Sequence, residues 1–216
     1  MSMTIAERFL VQLLLTVAAA SAAPIYVNGA PNTDSGNEAS THFQAEDFTL
    51  GQLTSLTGAR VWAFYFTDQA AGYLGSVEWA IHDNNGGQPG TILNTGLVTP
   101  TELAGAANCC AATAVLLEFA LPDISLAAGT YWLSLHNGPV SQTAFADFYW
   151  QTTGANTTVR GLQQLATGGA WTDTNLEHAF ELDGTAGQSA EGSVPEPGTF
   201  MLAGFALLAA AWKRKA

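Results

Sequence analysis

The sequence predicts an all-β fold, a jelly-roll-like antiparallel β-sandwich, for the middle of this 216-residue chain. Two observations predict strands there: apolar residues alternate with polar ones at a period of two, and Gly, Asn, Asp and Pro cluster between the alternating segments. Nine short strands at regular spacing favour a sandwich or a barrel. The predicted strands are 42–50, 59–67, 76–83, 91–98, 114–121, 129–136, 145–152, 157–165 and 176–183.

The individual strands differ in how much of their surface should be buried. Residues 60–66, Arg-Val-Trp-Ala-Phe-Tyr-Phe, are apolar on both faces, which fits a central strand or one with an exposed aromatic face. In the strand at 114–121, Glu118 points away from the side of Leu117 and Phe119, so one face should be buried. We predict a loop at 101–112, because a glycine interrupts its helix formers and it ends at two cysteines.

The charges of the chain are distributed unevenly. The formal net charge is -12, and four of the six basic residues lie at the two ends. Residues 23–194 hold only two basic residues against 16 acidic ones, a net charge of -14. Binding to a nucleic acid duplex needs clustered Lys and Arg, so the composition argues against a nucleic acid partner. The 22 aromatic residues argue against a disordered acidic chain.

The N-terminus has the composition of a secretory signal. An apolar run at 9–23 follows Arg8 and ends in small residues before Pro24. We predict a signal peptide at 1–22, cleaved after Ala22, and a mature body domain at 23–184. A buried first helix of the domain is the alternative.

The C-terminus carries a second apolar segment. A polar linker at 185–193 precedes Val194, Pro195, Glu196 and Pro197, and an apolar run at 199–212 follows. The apolar run predicts a short transmembrane helix. A helix of about 14 residues spans about 21 Å, less than the roughly 30 Å hydrocarbon core, so we expect only a weak anchor. The cluster Lys213, Arg214, Lys215 should stay cytoplasmic and leave the body outside.

This order of Pro-Glu-Pro, apolar helix and basic cluster resembles the PEP-CTERM sorting signal, also catalogued as the ice-binding protein C-terminal domain. The resemblance covers 194–216. It implies processing by exosortase, a multipass transpeptidase-like protease of Gram-negative bacteria, and delivery to the cell surface or the exopolysaccharide. A tail-anchored protein is the alternative. We expect no ice binding, because no regular Thr or Ser array is present.

Segments of the middle also resemble the body of many PEP-CTERM proteins, at 45–50, 83–90, 128–134, 148–151 and 179–184. This resemblance implies the jelly-roll-like sandwich and carries no catalytic assignment.

The segment 83–90 concentrates glycines and polar oxygens. One interpretation is a calcium site with Asp83 and Asn85 as ligands, joined by another carboxylate such as Asp47 or Asp147 if it folds nearby. The twelfth position of an EF-hand loop would be Asn94 rather than Glu, so the spacing favours a tight turn.

Cys109 and Cys110 are the only cysteines. Neighbouring cysteines cannot join distant strands, so we predict a vicinal disulfide or a free pair, with intermolecular cross-linking as the alternative. None of the four His residues lies at metal-site spacing from them.

Enzymatic motifs are scarce, and we expect a protein that is not an enzyme. No Gly-x-Ser-x-Gly elbow occurs, and His82 and His136 should be structural. Glu46 and Asp47 would suit glycoside hydrolysis only if two carboxylates met across a cleft.

Carbohydrate binding is the second functional hypothesis, because five tryptophans of the body could form an aromatic platform or fill the core. Trp171, in a glycine-rich loop, is the best candidate for an exposed ring. We therefore expect an exported surface or matrix protein, processed through its C-terminus from an inner-membrane intermediate and associated with exopolysaccharide. The alternative is a lectin-like module that calcium could assist.

Overall fold

The computed structural model describes residues 23–66, 72–105, 112–144, 146–154 and 160–187. The regular elements in these ranges are β-strands, which confirms the predicted all-β antiparallel fold. In chain order they are β1 (Tyr26–Val27), β2 (Pro31–Glu38), β3 (His42–Leu50), β4 (Thr54–Tyr65), β5 (Val77–Asn84), β6 (Pro89–Val98), β7 (Thr101–Ala104), β8 (Thr113–Leu126), β9 (Gly129–Asn137), β10 (Phe148–Thr153), β11 (Leu162–Leu165), β12 (Thr172–Asp173), β13 (Glu177–His178) and β14 (Phe180–Ala186).

The first sheet is built around the long strand β4. On one side, β8 pairs with β4 from Thr54 to Tyr65, and β7 pairs with β8. On the other side two strands share β4: β14 pairs with Thr54 to Val61 and β10 with Ala63 to Tyr65. β1 flanks β14, while β2 and β13 pair with β10. All these pairs are antiparallel.

The second sheet has the strand order β12, β11, β3, β9, β5, β6, and its pairs are also antiparallel. β3 and β9 occupy its centre. β6 lies at one end of the order, with β5 as its strand partner.

The two sheets pack face to face, because one apolar cluster contains side chains from both. Phe48 of the second sheet lies against Phe180 of the first, with ring centroids 6.5 Å apart. Burying each large side chain of this kind stabilises the fold by about 1.5–3 kcal/mol. Members from the two sheets include Leu56, Val61, Leu117, Trp150, Phe180, Phe48, Trp79, Ile81 and Leu133.

Strand β4 shows why a sequence that is apolar on both faces fits this place. Ala59, Val61 and Ala63 belong to the core cluster, so the intervening residues face outward. The outward residues are Arg60, Trp62 and Phe64. The sequence left open whether the aromatic residues of β4 are covered or exposed. Trp62 and Phe64 lie on the outer face, where Phe64 is buried by its neighbours, and Tyr65 packs against the core.

The strands that the sequence did not predict are short or polar. β2 reads Pro-Asn-Thr-Asp-Ser-Gly-Asn-Glu and pairs with β10. It is further held by Asn32 Nδ2, which donates to Thr152 Oγ1 at 2.9 Å, and by Ser35 Oγ, 2.6 Å from the same oxygen. Because polar contacts hold this strand, its sequence does not show the apolar alternation from which strands are predicted.

Two predicted connections need correction. The predicted loop at 101–112 begins as β7, whose four exposed residues pair with Val115 to Glu118 of β8. β14 also runs through Thr185 and Ala186 at the start of the predicted linker, because they pair with Ser55 and Thr54. In both places backbone pairing holds a strand that buries no side chain.

Candidate functional site

The outer face of the first sheet holds a row of aromatic rings. Phe64 stacks on Tyr149 of the neighbouring strand, with ring centroids 5.0 Å apart and an interplanar angle of 12°. Phe66 meets both rings edge-on at 6.0 Å. Trp62 lies on the same face and is half-buried. The rings therefore form a partly exposed aromatic surface.

Charged residues adjoin this aromatic row. Arg60 Nη1 lies 2.9 Å from Glu181 Oε2, its Nη2 pairs with Asp183, and its Nε donates to Asp183 Oδ2 at 3.3 Å. Glu118 is the residue directly opposite Arg60 on β8. The hydrogen bond with Asp183 raises the pKa of Arg60 further. One cation thus faces three carboxylates, and the local charge is negative.

A cleft of about 400 Å³ opens beside these charges, lined among others by Gly58, Arg60, Glu118 and Asp183. The register in which β4 pairs with β8 shifts between Leu56 and Gly58 of β4. The register in which β14 pairs with β4 shifts between Asp183 and Gly184. Bulges bend a strand and open its surface, which accounts for the cleft. The cleft offers guanidinium donors and carboxylate acceptors, and Trp62 lies two residues along β4 from Arg60 on the same face.

We refer to Arg60, Trp62, Glu118, Glu181 and Asp183 as the Arg60 cleft. Sequence reasoning noted the aromatic run of β4 but did not single out this cleft. The signal was one of only two internal arginines of a strongly acidic body, two residues before a tryptophan on a predicted strand.

The predicted ligand segment at 83–90 is a tight turn held by its own side chains. Asp83 Oδ1 accepts the Thr91 N–H at 2.6 Å, and Asn84 Oδ1 accepts the Gly87 N–H at 3.1 Å. Asn84 Oδ1 also accepts Nε1–H of Trp132 at 3.0 Å. A β-carbon at Gly90 would collide with the Asp83 carboxylate, so glycine is required there.

A cavity of about 630 Å³ adjoins this turn, lined by Asp83, Asn84, Asn85, Gly90 and Thr91. Asp47 and Asp147 are not among its lining residues. In the described ranges, no three His, Cys, Asp or Glu side chains are grouped so that they could hold a metal ion. Calcium binding at Asp83 and Asn85 stays a prediction.

Trp171 precedes β12 and is half-buried. It packs against a small apolar cluster of Ala45, Trp132 and Leu162. His82 meets the Trp171 ring edge-on at 5.9 Å, and His82 Nε2 lies 2.8 Å from Ser134 Oγ. Trp171 therefore covers part of the second sheet and remains partly exposed.

A buried polar cluster that the sequence did not predict lies between the sheets. Glu46 Oε2 accepts the backbone N–H of His178 at 2.6 Å and lies 2.8 Å from His178 Nδ1. Asn37 Nδ2 lies 2.9 Å from His178 Nε2. Glu46 as acceptor places the ring proton on Nδ1, so Nε2 accepts from Asn37. Burial lowers the pKa of His178 to about 3, and the ring is neutral.

Glu177 adds a second carboxyl group to this cluster, in hydrogen-bonding contact with Glu46. Burial raises the pKa of each carboxyl to about 8. For Glu177, repulsion from Glu46 raises the pKa as well. Glu46 Oε1 and both Glu177 oxygens are buried without another donor. Protonation of these carboxyl groups supplies the donor that the contact needs, because a carboxylic acid donates where a carboxylate cannot.

Gly161 closes this cluster from outside. A β-carbon there would lie 2.5 Å from the His178 ring and 2.7 Å from Glu46 Oε2. The sequence placed Glu46 beside Asp47 as possible catalytic carboxylates, but adjacent residues of β3 point to opposite faces. A usable signal was that Glu46 shares its strand face with Phe48 and Leu50, which sequence alternation already turned inward.

Several predicted features lie outside the described residues. They are the signal peptide at 1–22, Cys109 and Cys110, the sorting residues Val194 to Pro197 and the basic residues Lys213 to Lys215. Among the residues that are described, no helix has the length and apolar character needed to cross a membrane.

Comparison with known families tests the C-terminus directly. A family model for the PEP-CTERM protein-sorting motif matches residues 193–215. Comparison with curated proteins gave no match. The motif implies processing by exosortase and indicates an exported protein that passes through the membrane to the cell surface. Residues 193–215 of this chain are therefore a PEP-CTERM protein-sorting motif, as the sequence predicted.

Proposed function

We propose that this is a non-enzymatic surface or matrix protein of a Gram-negative bacterium, released from an inner-membrane intermediate by an exosortase-like enzyme and associated with exopolysaccharide. The sorting motif at 193–215 is the observation that carries the proposal. The signal-like N-terminus supports export. The short C-terminal membrane helix and the jelly-roll-like path of the body belong to the same proposal.

The order of residues in the tail supports transient anchoring. Pro195 and Pro197 disfavour regular helix and keep Glu196 extended, in a form that a processing enzyme can bind. An apolar helix of about 21 Å holds the chain only weakly in a hydrocarbon core of roughly 30 Å. The basic residues from Lys213 to Lys215 keep the extreme C-terminus on the cytoplasmic side.

Processing can be tested in the native host with Glu196→Gln and with deletion of Lys213 to Lys215. Both variants should accumulate as unprocessed precursor in the membrane fraction on an immunoblot. Glu191→Gln, a matched carboxyl-to-amide change in the linker, should be processed normally. If both tail variants yield mature protein at the wild-type rate, the sorting proposal is wrong.

Carbohydrate binding at the Arg60 cleft is a second candidate function. A sugar ring can stack on Trp62 while its hydroxyl groups bond to the guanidinium and the carboxylates of the cleft. The acidic cleft and the acidic body disfavour an anionic polymer. We therefore expect neutral or cationic polysaccharides to bind better than anionic ones.

Dextran, chitosan and alginate supply a neutral, a cationic and an anionic polymer for calorimetry on the full chain in detergent. Trp62→Ala should abolish binding, whereas Trp171→Ala should retain it, and the opposite result would move the site to Trp171. No heat with any of the three polymers would contradict lectin activity. Repeating the titration with calcium and with a chelator, on wild type and Asp83→Asn, tests whether calcium assists.

A further inference from the structure

The edge strand β6 differs from the other edge strands of the sandwich. It spans ten residues, Pro89–Val98, and carries no charged residue. β12 and β1 have two residues each, and β7 has four, one of them Glu102. β2 is long but contains Asp34 and Glu38. Short length and charge are the usual protections of an edge against pairing with another strand, and β6 has neither.

The exposed apolar side chains concentrate on β6 and on the strand that follows it in the chain. Among the described residues, seven large apolar side chains are exposed, and four of them lie on β6 and the next strand, β7. These four are Ile92, Leu93, Leu97 and Leu103. Leu97 is 54% exposed. An apolar edge of this kind is a surface on which another strand can add.

The C-terminal half of β6 has the regular geometry that strand addition needs. Two register shifts bend the half nearest Pro89, but Asn94 to Val98 pair with Ile81 to Val77 without interruption. Gly96 lies against the Trp79 ring and Val98 packs on the core, so Thr95 and Leu97 face outward. In this half of β6, the inward-facing residues Gly96 and Val98 are therefore held against the core of the sandwich.

A second copy of this chain offers a matching edge without charge. The body carries a net charge of -14, so two copies repel each other over most of their surfaces. The repulsion is smallest where both copies present the uncharged β6. In an antiparallel two-fold contact centred on Gly96, Leu97 of each copy lies opposite Thr95 of the other, and the two Leu97 side chains are diagonal neighbours on one face.

We propose that β6 forms the contact of a homodimer, in which two copies pair their Asn94 to Val98 segments antiparallel. The unpaired N–H and C=O groups on the outer side of each edge then bond to those of the other copy. The two six-stranded sheets become one continuous sheet. The contact is independent of the sorting tail and of the Arg60 cleft.

Sedimentation equilibrium of the full chain in detergent tests the proposal. Wild type should dimerise, and Leu97→Lys should weaken dimerisation at least about tenfold, since an edge lysine opposes strand pairing. Leu165→Lys is the matched control, because Leu165 is 52% exposed on β11 in the same sheet. It should dimerise like wild type. Association through the apolar tail would affect all three proteins equally.

Hydrogen exchange shows whether β6 itself is paired. Amides of Asn94 to Val98 should gain protection with rising concentration in wild type and Leu165→Lys, but not in Leu97→Lys. Thr95→Lys repeats the test if Leu97→Lys fails to fold by circular dichroism. A wild-type monomer at all concentrations, equal association of the two leucine variants, or dimers whose β6 amides stay unprotected would each overturn the proposal.

Discussion

Glu46 and His178 join the two sheets from the inside: Glu46 Oε2 of the second sheet lies 2.8 Å from Nδ1 of His178 in the first. Both side chains are fully buried, and the His178 ring stacks on Trp150 with centroids 4.6 Å apart. Asn28 Nδ2 donates to the His178 carbonyl at 2.9 Å, which ties the N-terminal segment to the same point. A buried polar cross-connection therefore joins the two sheets, and Asn37 and Asn28 contribute hydrogen bonds to it.

The stability of the protein should depend on pH through this cluster. The pKa of Glu46 and of Glu177 is raised from 4.5 to about 8, so the folded state binds more protons than the unfolded state between these values. Stability from the carboxyl pair is complete below pH 4.5 and is lost as the pH rises to about 8. The pKa of His178 is lowered from 6.5 to about 3, so its contribution is complete above pH 6.5 and is lost on acidification.

The two effects oppose each other between pH 4.5 and 6.5, but two carboxyl groups outweigh one imidazole, so the free energy of unfolding should be highest near pH 4.5. It should fall on either side, and urea denaturation at a series of pH values measures it. Glu177→Gln should flatten the decline above pH 6.5, whereas the exposed Glu102→Gln should leave it unchanged. A decline of equal slope in both variants would show that the carboxyl pair is not its cause.

The close packing of Gly161 leads to a second prediction. A methyl group at this position would lie 2.5 Å from the His178 ring, with both the ring and Glu46 held by hydrogen bonds. Overpacking a fixed interior costs about 1–3 kcal/mol. Gly161→Ala should lower the free energy of unfolding by this amount in urea denaturation.

Gly154→Ala is the matched control, since nothing lies within 4 Å of a β-carbon there. It should change stability by no more than about 0.5 kcal/mol, as surface substitutions usually do. If both alanine variants lose the same stability, Gly161 does not pack against the cluster as described.

Local sequence patterns predicted the strands whose side chains alternate in burial. The predicted bounds of 42–50 coincide with β3, because its apolar residues alternate and turn residues follow it. β2 and β7 were missed, since backbone pairing and polar contacts hold them and neither requires apolar alternation. The Glu46–His178 contact joins residues 132 positions apart, and no local pattern encodes such a pair.

The ion pairs of Arg60 provide the last prediction. Arg60 contacts Glu181 and Asp183 while its side chain is only 20% exposed, and Glu118 lies opposite. Arg60→Met should remove the cation and leave three carboxylates repelling one another, at a cost of roughly 1 kcal/mol, since partly exposed ion pairs are screened. The loss should shrink at high salt, because ions screen the remaining repulsion. Thermal denaturation at low and high salt measures it.

Adding Asp183→Asn to Arg60→Met should recover part of the stability by removing one of the repelling charges. If the double variant is no more stable than the single one, repulsion among the carboxylates does not explain the loss.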